Sequence, residues 1–220
     1  MTMKSYFIIG TDTNVGKTYI ASALIQHFVV AGFKTIGMKP IASGANFNAQ
    51  GTLMNEDVQA LQAASSLAAP LHHINPYCFS PAIAPHIAAA QAGVTMQIAV
   101  IQQAYLQLTK LADVVIVEGA GGFFVPINAT QTLADVAVAL NISIILVVGV
   151  KLGCINHALL TVEAIQARGL NLVGWVANQI DPELAEFEEN IASLKQRISA
   201  PCLSVVKWQK PAQFQLYITA

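Results

Sequence analysis

The residues Gly10-Thr11-Asp12-Thr13-Asn14-Val15-Gly16-Lys17-Thr18 match the pattern G-x-x-x-x-G-K-T. Glycines in such a loop let successive backbone N–H groups turn inward and cradle phosphate oxygens. The helix that follows adds the partial positive charge of its amino end. Lys17 is then placed to reach β- and γ-phosphates, and the Thr18 hydroxyl to ligate Mg2+. The metal side asks for a carboxylate at the end of a neighbouring strand. Val114-Val115-Ile116-Val117-Glu118 supplies one, followed by Gly119-Ala120-Gly121-Gly122, which leaves room for phosphates. The alternative for Glu118 is a helix cap. This second glycine run does not complete G-x-G-x-x-G, because Phe124 stands where the third glycine belongs.

Two further charged residues have the right types. Lys39, in Met38-Lys39-Pro40-Ile41-Ala42-Ser43-Gly44, follows an apolar strand and points to the same end of the sheet as the phosphate loop. Asp57, in Asn55-Glu56-Asp57, reads equally well as a metal-side acid, a solvated loop acid or a helix N-cap. The histidines His72, His73, His86 and His157 have no metal spacing with one another and read as packing or surface groups; His27, within the first helix, reads as structural. The cysteines Cys78, Cys154 and Cys202 are odd in number and far apart, which predicts free thiols in a reducing cytoplasm.

The elements that must position these groups alternate in the βαβ manner. Strands are predicted at Ser5–Ile9, Lys34–Met38, Asp113–Val117, Ser143–Val148, Leu172–Ala177 and Leu203–Val206. Helices are predicted at Lys17–Ala31, Glu56–Ala64, Met96–Leu111, Leu133–Leu140, Ile155–Arg168 and Glu183–Ile198. Asn46–Thr52 reads as a loop, and Pro70 to Pro85, with four prolines, as irregular connection. The fold class is therefore α/β, a P-loop NTPase three-layer fold with a mostly parallel central sheet and helices on both faces. Ligands belong in the loops at the carboxyl ends of the strands. One domain over residues 1–220 is expected, since neither a repeat nor a linker interrupts the pattern.

Composition agrees with a large buried core: 55% of residues are hydrophobic and 10% charged. Net charge is −1, and the eleven Lys and Arg residues form no basic block, so no nucleic-acid partner is expected. The apolar stretch Leu133 to Val150 is broken by Asp135, Asn141 and Ser143, so no membrane span is expected. Tyr6 to Ile9 is too short for a secretory signal.

In sequence and order, the chain resembles the dethiobiotin synthetases. The resemblance is carried by Gly10–Thr18, Lys-Pro-Ile-Ala-Ser-Gly at 39–44, Asn-Pro-Tyr at 75–77 and Pro-His at 85–86. Val-Glu-Gly-Ala-Gly-Gly at 117–122, Val-Lys-Leu-Gly-Cys-Ile-Asn-His at 150–157 and Gly-Trp-Val-Ala-Asn at 174–178 complete it. The resemblance implies ATP as co-substrate and Mg2+ held by Thr18, Asp57 and Glu118. It implies Lys39 and Lys17 as catalytic lysines. Nucleotide contacts are implied at Asn14, Val15, Gly16, Lys17, Thr18, Tyr19 and Asp57, at Glu118, Gly119, Ala120 and Gly121, and at Asn178 and Gln179, with Asn178 reading the adenine edge. Substrate contacts are implied at Thr13, Ser43, Gly153, Cys154 and Asn156. Of these, the last three belong to a helix start that receives the substrate's carboxylate from the partner subunit of a homodimer.

The reaction so implied closes a cyclic urea from 7,8-diaminopelargonic acid and CO2 or bicarbonate, through a carbamate and a carbamic–phosphoric anhydride. Lys39→Ala is expected to lower turnover strongly and leave the fold intact. Two departures stand out. Asn14 occupies a position where many relatives carry Glu, and Ser204-Val205-Val206-Lys207-Trp208 replaces the Gly-x-x-Pro turn that, in the family it resembles, borders the adenine; the tail Gln209–Ala220 has no familiar counterpart. Alternatives are an amidotransferase of the cobyrinic acid diamide class, which needs an additional glutamine-hydrolysing domain, and a septum-positioning or partitioning ATPase switch. Such switches carry an early second lysine, where this chain has Thr11 and Asp12.

Overall fold

The computed structural model describes residues 4–214. Along them run β1 (Lys4–Gly10), α1 (Lys17–Val30), β2 (Thr35–Met38), β3 (Ile41–Ser43), β4 (Asn46–Phe47), β5 (Leu53–Met54) and α2 (Glu56–Ala64). Next come α3 (Leu71–Ile74), β6 (Tyr77–Phe79), α4 (Pro85–Gln91), α5 (Ile98–Leu108), β7 (Val114–Gly122) and α6 (Leu133–Leu140). The last five are β8 (Ser143–Val150), α7 (Cys154–Ala167), β9 (Leu172–Gln179), α8 (Phe187–Arg197) and β10 (Cys202–Val206).

Six strands form one parallel sheet in the order β10-β9-β8-β1-β7-β2. Because successive strand residues point to opposite faces, unbroken apolar runs feed two cores at once. Phe7 and Ile9 of β1, Val115 and Val117 of β7, and Leu146 and Val148 of β8 lie in the core covered by α5, α6, α7 and α8. Ile8, Ile116 and Val147 face the other side, against Ile20, Leu24, Ile25 and Phe28 of α1 and Leu61 of α2. Burying each such side chain contributes about 1.5–3 kcal/mol before entropy is charged against it. With α1 gripped in this way, the phosphate loop between β1 and α1 is held at the carboxyl rim of the sheet.

α6 carries a complete capping box, in which Thr132 and Asp135 exchange bonds. Arg168 also donates to Asp135 Oδ1 at 2.7 Å. Burial works to raise the Asp135 pKa, but the bonds from Thr132 and Arg168 outweigh it and hold the carboxyl below its usual value. Asp135→Ala is expected to lower stability by about 1–2 kcal/mol. A lowered folded pKa gives stabilisation that is present above the ordinary carboxylate range and lost as pH falls through the folded value. Urea midpoints of wild type and variant should therefore differ at neutral pH and converge in acid.

Several expectations differ from the structure. Residues 46–52 were expected as a loop, but Asn46 and Phe47 pair antiparallel with Met54 and Leu53. The same polar, glycine-bearing residues make the turn of that hairpin: Asn48 Oδ1 accepts from Gln50 N and Thr52 N, and Gly51 sits at φ +74°. The proline-rich stretch holds α3 and β6, and β6 pairs in parallel with β3 in a small sheet of its own. α4, starting at Pro85, was not anticipated; proline suits the first turn of a helix. The helix expected from Glu183 begins at Phe187. β7 continues through Glu118 to Gly122, so Glu118 stands inside a strand, opposite Ile8, and not at its end. Of the tail 209–220, residues 215–220 lie outside the described residues.

Candidate active site

The phosphate loop is fixed from both sides. Thr11 N donates to Val147 O of β8 at 3.0 Å, and Asn178 Nδ2 of β9 donates to Val15 O at 2.9 Å. Gly16 lies at φ +87°, and a Cβ there would come within 2.2 Å of Asn178 Nδ2, so glycine is required twice over. Asn14 also has a positive φ, +58°, a conformation that asparagine tolerates better than glutamate does. Lys17 Nζ donates to Asp12 O at 2.8 Å. Burial, together with the positive charge of Lys39, pushes its pKa down to about 8, against the raising pull of Glu118, Asp57 and Asp12.

Beside this loop, four side chains from four elements converge. Lys39, just beyond β2, lies 2.6 Å from Glu118 Oε1 and 2.9 Å from Asp57 Oδ2, and also donates to Gly119 O at 3.1 Å. Thr18 Oγ1, in the first turn of α1, donates to the same Glu118 Oε1 at 2.7 Å. Lys39 is 4% exposed and Glu118 1%, whereas Asp57 is 41% exposed and faces the cleft mouth. Burial would lower the Lys39 pKa, but the two carboxylates reverse this and hold the ammonium above its usual value. Asp57 is shifted down: burial opposes this, and the Lys39 charge prevails. Glu118 Oε2 is buried without a hydrogen-bond partner.

Two asparagines without an expected role set these positions. Asn75 Nδ2 donates to Lys39 O at 2.6 Å and to Tyr77 O, while Lys39 N donates to Ile74 O, so the Lys39 backbone is clamped. Asn55 caps α2 by accepting from Asp57 N at 3.0 Å, and its Nδ2 reaches Ser43 O at 3.1 Å. The cap of α2 is therefore Asn55, which frees the Asp57 carboxylate for Lys39. An Asn two residues before an acid, at the head of an apolar periodic stretch, is the sequence signal that marks this.

Lys39, Asp57, Thr18, Glu118 and Asn55 line a cleft of about 890 Å3, together with Thr13, Asn14, Gly16, Lys17, Ser43, Ala120 and Gly121. Val15 is buried beneath the loop, and Gly119 meets Lys39 through its carbonyl. Tyr19, Asn178 and Gln179 line a second cavity, of about 450 Å3, on the other side of the loop. Gly153, Cys154 and Asn156 are not among the residues lining either cavity. They open α7, with Gly153 and Asn156 exposed and Cys154 buried against Asn190. Lys151, shortly before them, lies 3.7 Å from Asp12 of the phosphate loop.

A loop of this form between a parallel strand and a helix, with a lysine and a threonine at the helix start, defines a P-loop nucleotide-binding protein of the α/β class. A family model described as an AAA domain matches residues 4–214. Solved structures agree on the fold. The septum site-determining protein MinD of Pyrococcus horikoshii superposes with a TM-score of 0.56 at 14% identity, over 94% of this chain and 82% of that one. Chloroplast FtsY of Physcomitrella patens gives 0.56 at 15% identity over 97% of this chain, which spans only 62% of the FtsY length. Curated relatives are far more similar. The ATP-dependent dethiobiotin synthetase BioD of Nitrosospira multiformis is 49% identical over 94% of this chain and 89% of its own. That of Aromatoleum aromaticum is 51% identical over 92% and 90%. The chain belongs to the ATP-dependent dethiobiotin synthetase family.

Proposed function

We propose that this chain is the ATP-dependent dethiobiotin synthase of a biotin pathway, working in the cytoplasm as a homodimer, with each chain a single domain. The observation that carries the reading is the cleft itself. Two buried lysines and a carboxylate pair meet at one end, and Ser43 and Thr13 stand on its walls. The reaction must bring a carbamate to a triphosphate, two anions that repel, and buried cations in a site of low dielectric answer that need.

The residues take the following parts. Lys17 turns from Asp12 O to the β- and γ-phosphates, which the loop N–H groups cradle. Lys39 holds its ammonium between the carboxylates and the open cleft, where the carbamate lies. The carbamate oxygen attacks the γ-phosphorus and ADP leaves. The second amine then attacks the carbamoyl carbon and inorganic phosphate departs, with the ring closing. Orientation in this last, intramolecular step is worth about 7–11 kcal/mol.

A Mg2+ ion fits the donor set. Among the described residues no group of three or more His, Cys, Asp and Glu gathers as a metal cage. Thr18, Asp57 and Glu118 offer hard oxygens instead, and the orphaned Glu118 Oε2 is a buried acceptor awaiting a partner. Magnesium commonly takes one or two carboxylates and fills its shell from phosphates and water. When bound, the ion supplies charge neutralisation on the β- and γ-phosphates. The start of α7, with Gly153, Cys154 and Asn156, serves the substrate carboxylate of a second copy, which fits its place away from this chain's own cleft. Among the described residues no helix is long and apolar enough to cross a membrane.

The reading is tested by ADP release with ATP alone, and with diaminopelargonate and bicarbonate added singly and together. Dethiobiotin and a stoichiometric burst of ADP should require both. Hydrolysis indifferent to either would mark a nucleotide switch instead.

A further inference from the structure

One wall of the second cavity is made by a segment that belongs to no regular element. After β10 ends at Val206, Lys210 N donates to Lys207 O at 3.0 Å, with Gln209 at φ +55°, making a turn that brings Trp208 to the cavity wall. Trp208 N donates to Gln179 Oε1 at 3.1 Å. The chain then crosses the start of α1, where the Tyr19 hydroxyl donates to Lys210 O at 3.1 Å and accepts from Ala212 N at 3.2 Å. Beyond it, Ala212 and Phe214 pack on the core beneath α1, with the Phe214 ring 5.9 Å from His27. The strap from 207 to 212 is thus tied at its start by Gln179 and by the exposed Lys207–Glu188 ion pair at 2.8 Å, and where it crosses α1 by the Tyr19 phenol.

Tyr19 directly follows Thr18 on a helix whose first turn belongs to the phosphate site. We propose that Tyr19 is a positioning residue: its hydroxyl latches the 207–212 strap over the nucleobase end of the ATP site. The chain's hold on the nucleoside, as distinct from the phosphates, then depends on that hydroxyl. The inference rests on the ATP reading of the cleft. An irregular segment that must be ordered at each binding event takes its entropy out of the affinity, and one already pinned does not. The phosphate loop is held without the strap, by Thr11 N on Val147 O, Asn178 Nδ2 on Val15 O and Lys17 Nζ on Asp12 O.

The test compares MgATP with inorganic tripolyphosphate on wild type and Tyr19→Phe, which keeps the ring and removes both hydroxyl bonds. Calorimetry gives the affinities. Fluorescence reports the strap, because of the two tryptophans Trp175 is fully buried with Nε1 bonded to Ala200 O, while Trp208 is 46% exposed in the cavity lining; Trp208→Phe assigns the signal. Tyr19→Phe should weaken MgATP roughly tenfold and leave tripolyphosphate within about twofold. Trp208 emission of the free variant should move toward that of a solvated indole. Unchanged MgATP affinity, or an equal loss for both ligands, overturns the latch. Wild-type Trp208 emission indifferent to MgATP, while tripolyphosphate still competes, would instead overturn the assignment of the base cavity.

Discussion

Lys39→Ala is expected to lower dethiobiotin formation by roughly 10²–10³-fold, the scale of one preorganised electrostatic contact. Steady-state turnover at saturating ATP measures it, and a rate within a few-fold of wild type would remove Lys39 from the chemistry. The sequence reading expected the fold to be untouched, but the geometry adds a second effect. Glu118 is fully buried and Lys39 is its charge partner at 2.6 Å. Taking one partner from a buried pair costs about 3–5 kcal/mol when the other charge is stranded. Here the loss should fall toward the lower end, because Thr18 still donates to Glu118. The double variant Lys39→Met with Glu118→Gln removes both charges. It should recover much of the urea midpoint and none of the turnover, which separates the chemical role from the structural one.

Glu118→Gln alone is expected to reduce turnover by about 10²-fold and to raise the Mg2+ concentration needed for half-maximal rate. The amide is nearly isosteric, and Lys39 retains Asp57 and Gly119 O as partners, so the fold should hold. Loss of rate with an unaltered magnesium dependence would move Glu118 from the metal to the orientation of Lys39. Turnover like that of wild type would exclude it from both.

The phosphate loop was legible in the sequence because it is a contiguous pattern with a local mechanism. The six main strands were legible because each is a short β-branched run buried on both faces. What could not be read was tertiary. β3 pairs with β6 across an intervening hairpin and two helices, and the prolines flanking β6 disguise a strand of three residues. Asp57 alone could have been a cap; only the bond from Asp57 N to Asn55 shows which residue caps and which carboxylate remains for Lys39. Glu118 and Lys39 were expected from a strand-end rule, Thr18 from the loop motif, and Asp57 joined them only through the family resemblance; yet Glu118 stands four residues short of the end of β7. The glycines after it extend the strand instead of opening a loop. Residues 204–208 stand out in the sequence as a departure from the family's adenine-bordering turn, but the ties of the strap to Tyr19 are illegible there, since they span nearly the whole chain.

The placement of β1 between β7 and β8 has a consequence for how the protein comes into being. The strand that leads into the phosphate loop ends at Gly10, yet its neighbours begin only at Val114 and Ser143. During translation this apolar strand must wait, unpaired, until the chain as far as β7 and β8 has followed it off the ribosome, and pairings so distant in sequence form slowly. A nascent chain arrested before β8 should therefore be unable to retain nucleotide and should be a ready client for chaperones, whereas one arrested after β10 should do neither.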